Sequence, residues 1–480
     1  HLRIPNPMRA IADDDFRWPQ LMARRTDQQE PRLLWRGRAM GGSSVINGQI
    51  AIRGIPDDFA RWAAAGCRGW GWADILPYFR KLETDMDFGD APYHGDRGPI
   101  PVYRAPVEAW GSVDRALRSA ALGLGYGWCA DHNAPEGTGA SPYAINSVDG
   151  RRVTTNDGYL EPARGRGNLD IVGDALVAAV QMEGNRPHAS GVSVRVADGP
   201  VQMPRAAREV ILCAGAIHSP AILQRSGIGP SPLLAGLGIP VRADLPVGEN
   251  LLDHPMVSAL LQLRPDARVD TLVHRHTNCC LRYGSRLAGA GENDMIMIAG
   301  NLAGSSATLS GVDLMSQGRI AVSVYQAFSQ GRVAITTADP GTDPTVDERM
   351  LSDERDLVRM RDGVRRLRAI CRHDAVAAVA QRAEYGNSGI SVEDDLDDAA
   401  LDAWLMCECS DAQHASGTCR MGAADDPRSV VDPECRVIGC TGLRVVDASI
   451  MPGVPRANTH LTTVAIAERM ADVLRGRLPA

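Results

Sequence analysis

The sequence predicts an α/β protein of more than one domain, and three observations predict it. Arg208-Glu209-Val210-Ile211-Leu212-Cys213-Ala214-Gly215 is a short apolar run closed by Ala-Gly, the pattern of a buried strand turning into a helix. Near the C-terminal end, Leu461, Val464, Ala467, Ala471 and Leu474 recur at steps of three and four, one apolar stripe along a helix. Between them, residues 257–404 alternate strand-like runs (Ile320–Ala327, Arg332–Thr336) with a helix near 354–371, a sheet with covering helices. A chain of 480 residues has room for more than one large core.

Composition narrows the function classes. The 44% apolar and 23% charged content is that of an ordinary globular protein. No apolar run approaches the roughly 18 residues a membrane helix needs, so no span is expected. The net charge of −7 is spread rather than blocked, which argues against nucleic-acid binding. Lys81 is the sole lysine, so a P-loop is excluded and a lysine Schiff base has one poorly supported position. Eleven scattered cysteines, an odd number, fit reduced thiols and a cytoplasmic location better than a disulfide framework. The chain begins at His1 without a visible signal peptide, and a lost start is the expectation.

In chain order, residues 1–36 read as irregular and polar. Gly37-Arg38-Ala39-Met40-Gly41-Gly42-Ser43-Ser44-Val45-Ile46-Asn47-Gly48, followed by Arg53-Gly54, is a loop whose glycines let backbone approach a ligand and whose Ser and Asn groups can bond it. Helices are expected over 73–83 and 112–122, and a crossing strand at Gly98–Val102. Gly123-Leu124-Gly125-Tyr126-Gly127 follows a helix rather than a strand and reads as a loop. Gly215 to Gly229 continues the buried strand as a helix, and Gly248-Glu249-Asn250-Leu251-Leu252-Asp253-His254-Pro255 leads into the sheet region.

The chemistry concentrates in Gln413-His414-Ala415-Ser416-Gly417-Thr418-Cys419-Arg420 and Arg456-Ala457-Asn458-Thr459-His460. The first offers an imidazole among small residues. The second offers a carboxamide where the C-terminal helix starts, with Asn458 and Thr459 as capping residue types at the positive end of its dipole. An imidazole beside a carboxamide can take a proton from an alcohol and hold the developing anion.

The runs H-x-x-G-T-C-x-M-G (His414 to Gly422), V-D-A-S-x-M-P (Val446 to Pro452) and N-T-x-x-x-T (Asn458 to Thr463) resemble the closing segments of the glucose-methanol-choline (GMC) oxidoreductases. Gly37 to Gly54 resembles the first signature of that family, and Gly215 to Gly229 satisfies the second at all 15 positions. These are flavin enzymes that oxidise alcohols, and the pattern is closest to bacterial relatives acting on choline or hydroxymethylfurfural.

The resemblance implies a discontinuous FAD-binding, Rossmann-like domain from 1–103, 158–256 and 405–480. An α+β substrate domain on an antiparallel sheet is inserted as 104–157 and 257–404. It implies an FAD site at Arg38, Gly41, Gly42, Ser43, Asn47, Gly48, Val177, Ala214, Gly215, Asp447, Ala448, Thr459 and His460. Some relatives bond flavin through a histidine at the position of Ile46; isoleucine cannot, so non-covalent FAD is expected. The family's G-x-G-x-x-G loop and its acidic partner are absent from the sequence. Either an upstream βαβ unit was lost, which is the expectation, or the chain diverges in its hold on FAD.

The reaction implied is oxidation of a small-molecule alcohol to an aldehyde or ketone, with oxygen or another acceptor taking the electrons. His414 acts as base and Asn458 steadies the alkoxide. Gln413, Tyr325 and Phe328 are expected on the substrate side. A GMC-type lyase, a fatty-acid photodecarboxylase and a degenerate non-catalytic relative are the alternatives. His132 and His254 read as structural histidines, and His460 as a ring near the flavin rather than a base. Cys407, Cys409, His414 and Cys419 could be read as a soft metal site, but the family-like run accounts for His414 and Cys419 without metal, and none is expected.

Overall fold

The computed structural model describes residues 13–184, 187–271, 274–287, 289–302 and 314–477. Of the irregular start expected over 1–36, residues 1–12 lie outside the described residues.

The largest sheet is antiparallel, in the order Ala380–Tyr385, Pro255–Leu263, Gln317–Val324, Met295–Gly300, Cys279–Tyr283, Gly139–Pro142. Ser410–Asp411 pairs with the start of Pro255–Leu263. Side chains alternate across it. Val257, Ala259, Leu261, Met295 and Met297 are buried under helices Ser112–Gly123, Glu354–Cys371 and Asp398–Glu408. Each fully buried Val, Leu or Met there contributes about 1.5–3 kcal/mol. Cys280, Ile296 and Tyr325 belong to the opposite face, with Ile50, Ile52, Tyr143 and Ala457 packed on it. The strand expected at Ile320–Ala327 ends at Val324, because Tyr325 N and Gln326 N both turn to Asp294 O.

A second core gathers residues distant in sequence. Val210–Leu212 pairs in parallel with Leu443–Val445, and an antiparallel ribbon of Ala175–Glu183 and His188–Val196 lies beside them. Helices Pro56–Ala64, Trp72–Leu82, Gly215–Arg225 and Thr459–Leu474 pack around them. Local chemistry accounts for the helix starts. Pro56 sits in the first turn, Asp74 accepts from Gly71 N at 3.0 Å, and Asp353 accepts from Arg355 N at 3.0 Å. The predicted helix 354–371 matches its observed bounds, and the run 208–215 becomes strand Val210–Leu212 feeding the helix Gly215–Arg225. Among the described residues no strand pairs with the second edge of Val210–Leu212. No helix among them is long and apolar enough to cross a membrane.

Candidate active site

His414 and His254 meet because the backbones carrying them pair. Leu252 and Ser416 exchange two hydrogen bonds of 2.9 Å, and Ala412 N donates to His254 O at 3.0 Å. Gly417 follows at φ +86°, where a Cβ would stand 2.5 Å from Asn250 O, so only glycine fits this close approach. Gln413 adopts φ +66° just before His414. It is held there by Arg36 Nη1, which donates to Gln413 Oε1 at 2.8 Å.

The imidazole of His414 is bracketed. Its Nε2 lies 2.8 Å from Asn458 Nδ2 and its Nδ1 lies 2.8 Å from His254 Nδ1. An amide nitrogen only donates, so Nε2 accepts and carries the lone pair. The proton of the neutral ring then sits on Nδ1 and is donated to His254 Nδ1. Both rings are neutral at pH 7. Burial pushes His414 well below the usual imidazole range, with His254 and Arg36 adding to it, and burial takes His254 down to about 3. Tyr325 stacks on His254 with centroids 4.3 Å apart and planes 12° apart, and its Oη donates to Asn458 Oδ1 at 3.4 Å.

Asn458 occupies the N-cap position of Thr459–Leu474, but its side chain makes no capping bond. The carboxamide is spent on His414 and Tyr325 instead. The arrangement is a neutral base whose lone pair meets a hydrogen-bond donor at a helix N-terminus. A hydroxyl inserted between Nε2 and Nδ2 would donate to the first and accept from the second.

The residues expected around a flavin sit as follows. Gly41 precedes the 3₁₀ turn Gly42–Val45, with Ser43 Oγ accepting from Gly37 N at 3.0 Å. Arg38 is exposed, its guanidinium 5.2 Å from the Trp18 ring centroid. Asn47 Oδ1 accepts from Arg152 Nη1 at 2.6 Å, and Gly48 O from Arg275 Nη2 at 2.8 Å. Asp447 is buried and accepts from Gly215 N (2.9 Å), Ser219 Oγ (2.6 Å) and Ser449 N (2.8 Å). It ties the start of Gly215–Arg225 to the turn containing Ala448. Val177 lies half-buried in the ribbon beside that core. Thr459 opens the C-terminal helix, and His460 Nε2 is buried without a hydrogen-bond partner among the described residues.

These residues fit a planar cofactor. A Cβ added to Gly215 would meet nothing within 4 Å, the adjoining Ala214 is exposed, and two helix N-termini, at Gly215 and Thr459, open on this region. No phosphate-binding glycine loop between strand and helix occurs among the described residues.

The other candidates go elsewhere. Phe328 lies between Arg355 and Arg359, 3.8 and 4.9 Å from its ring centroid. His132 Nδ1 bonds Pro142 O at 2.9 Å, a structural role. Cys409 and Cys419 are buried while Cys407 is exposed, and the Cys409 thiol turns to Ser410 O and Met350 Sδ. Sequence reads His254 as a structural histidine, and the structure puts its ring nitrogen 2.8 Å from that of His414. Its one sequence signal is its place in the run Gly248 to Pro255, which also resembles the family.

Comparison with known proteins identifies the family. Profiles described as GMC oxidoreductase match residues 22–256 and 327–467. The chain is 38% identical to a 5-(hydroxymethyl)furfural oxidase of Methylovorus sp. (strain MP688), over 97% of this chain and 88% of that protein. It is 36% identical to an oxygen-dependent choline dehydrogenase of Pectobacterium carotovorum, over 92% of this chain and 81% of the other. Among solved structures, pyridoxine 4-oxidase from Mesorbium loti superposes with a TM-score of 0.88 at 30% identity, covering 100% of this chain and 92% of its own. Enzymes of this kind are FAD-dependent oxidoreductases. With both profiles matched and relatives at this identity along most of its length, the chain belongs to the GMC oxidoreductase family.

Proposed function

We propose that this protein oxidises a small-molecule alcohol to an aldehyde or ketone, with His414 as base and Asn458 as the donor that steadies the developing alkoxide. The observation that carries this is the pair of 2.8 Å contacts on the His414 ring, which expose its lone pair to a carboxamide donor and back its N–H with a second imidazole. When bound, FAD would supply the hydride acceptor, held non-covalently, since Ile46 is a buried aliphatic residue. Gly41, Gly42, Ala214, Gly215, Asp447 and the Thr459 helix start would hold it.

The substrate hydroxyl displaces the direct His414–Asn458 bond and takes both ends of it. His414 Nε2 accepts the hydroxyl proton as the carbon gives up its hydride, and the proton stays at Nε2. The imidazolium so formed keeps its Nδ1–H bond to His254 Nδ1, and this bond strengthens as charge develops. Asn458 Nδ2–H points at the oxygen on which negative charge grows, and the helix N-terminus behind it adds positive potential. Tyr325 holds the carboxamide and the His254 ring in place.

The test is anaerobic mixing of the FAD-loaded enzyme with a panel that includes 5-(hydroxymethyl)furfural, choline and pyridoxine, following flavin absorbance. One or more should bleach the flavin. His414→Ala should slow that step by about 10²–10⁴. An unchanged rate in the variant would remove His414 from the mechanism.

A further inference from the structure

Behind the two histidines lies a buried charge cluster that proton abstraction as described does not use. Asp253, Glu348 and Asp411 bring carboxylate oxygens within 4.8 Å of one another, all buried. Asp253 directly precedes His254, Asp411 lies just before Gln413-His414, and Glu348 follows strand Thr345–Asp347. Two guanidiniums face them. Arg25 donates from Nε to Asp411 Oδ1 at 3.0 Å and holds Nη2 2.9 Å from the same oxygen. Its Nε stands 3.8 Å from Glu348 Oε2, while its other N–H groups go to Ala23 O, Arg32 O and Leu33 O. Arg36 Nη2 stands 3.8 Å from Asp253 Oδ2. The other titratable neighbours are His254, His414, and the Tyr325 hydroxyl and Cys409 thiol, both of which burial keeps protonated.

Three carboxylates against two guanidiniums leave one uncompensated negative charge. Asp253 Oδ2, Asp411 Oδ2 and both oxygens of Glu348 accept no hydrogen bond among the described residues. Bare carboxylate oxygens facing one another in a protein interior are costly, and one proton supplies the missing donor and cancels the charge. Asp411 has Arg25, and Asp253 has the backbone N–H of His254 at 2.7 Å. Glu348 accepts no hydrogen bond among the described residues, Arg25 approaching it only to 3.8 Å, so the proton belongs there. Burial first, then Asp411 and Asp253, push Glu348 well above the carboxylate range. Burial and Asp411 likewise lift Asp253, to about 7.

We propose that Glu348 is a positioning residue for the catalytic pair, held as a neutral acid that shares its proton with Asp253 and Asp411. Loss of that proton places a negative charge behind His254 and His414 and makes His414 a stronger base. The inference rests on the reading of His414 as the base, but its first test does not.

Glu348→Gln freezes the neutral form at nearly the same shape. The infrared difference between wild-type and E348Q holoenzyme at pH 6 should show a protonated-carboxyl band that only the wild type has. Its absence would overturn the proposal whether or not alcohols are substrates. In the pH profile of flavin reduction, the wild-type rate should climb as the cluster loses its proton. E348Q should lose that climb and keep the acid limb that belongs to His414. The same climb in both would also overturn the proposal. Should E348Q not fold, Asp253→Asn leaves two carboxylates against two guanidiniums, so the climb should vanish there too; if it persists, the proposal fails. Because Glu348 binds its proton more tightly folded than unfolded, its contribution to stability is full below about pH 4 and lost as pH rises through the folded value. The wild type should therefore lose more melting temperature than E348Q between pH 5 and pH 8.

Discussion

Replacing His254 by Phe tests whether the second imidazole takes part in the proton transfer. Phenylalanine keeps nearly the ring volume and the stack on Tyr325, whose centroid lies 4.3 Å away, and removes the Nδ1 acceptor. The bond lost is the 2.8 Å contact to His414 Nδ1. While His414 is neutral, that bond is an ordinary one. Once His414 has taken the substrate proton, it is a bond from a cation, worth about 1.5–3 kcal/mol. The rate feels only the difference between the two, about 1–1.5 kcal/mol, so at about 1.4 kcal/mol per decade flavin reduction should slow about 5- to 13-fold. Alcohol binding should change far less, because the bond strengthens only as charge develops. The assay is anaerobic rapid mixing over a range of alcohol concentrations, which separates the reduction rate from the binding constant. His254→Asn supplies Oδ1 near the lost Nδ1 and should recover much of the rate. A correctly melting H254F enzyme that reduces at the wild-type rate would refute a supporting role for His254. So would equal losses in the Phe and Asn variants.

Two further outcomes follow from the same geometry. Tyr325→Phe removes the 3.4 Å bond to Asn458 Oδ1, a long bond at the weak end of the ordinary range, so reduction should slow about two- to threefold. Gly215→Ala forces φ +80° on a residue with a Cβ, at about 1–2 kcal/mol. The methyl also enters the space expected to hold FAD, so spectroscopic titration should show weaker FAD uptake with only a small drop in melting temperature.

The juxtaposition of His414 and Asn458 could be anticipated from sequence because each sits in a contiguous run, and helix Thr459–Leu474 because its apolar spacing is local. The strand Val210–Leu212 was legible for the same reason. His254 was not, since the feature that gives it meaning is a partner 160 residues away. Nor was the non-capping orientation of Asn458, because residue type predicts a cap and only the position of His414 pulls the carboxamide off it. Phe328 was placed on the substrate side from segment order, whereas its ring is taken up by Arg355 and Arg359. Gln413 was placed beside the substrate by adjacency, yet its left-handed backbone turns its carboxamide to Arg36. The Asp253–Glu348–Asp411 cluster assembles from four segments once its arginines are included, and no window of sequence contains it.

The bond between Arg25 and Asp411 spans 386 positions of the chain, which has a bearing on how the protein is made. At a synthesis rate of about 5–20 residues per second, Arg25 is added to the chain about 20–80 s before Asp411. His254 waits in the same way for His414, and His414 in turn for Asn458. The sheet around Met295–Gly300 and its covering helices are largely complete in sequence before residue 405, so one core can form while the other is still lacking its C-terminal strand. During that interval the N-terminal segment carries a cation whose buried partner has not been translated. A chain released before residue 411 would lack the carboxylate that Arg25 bonds, and with it His414 and Asn458.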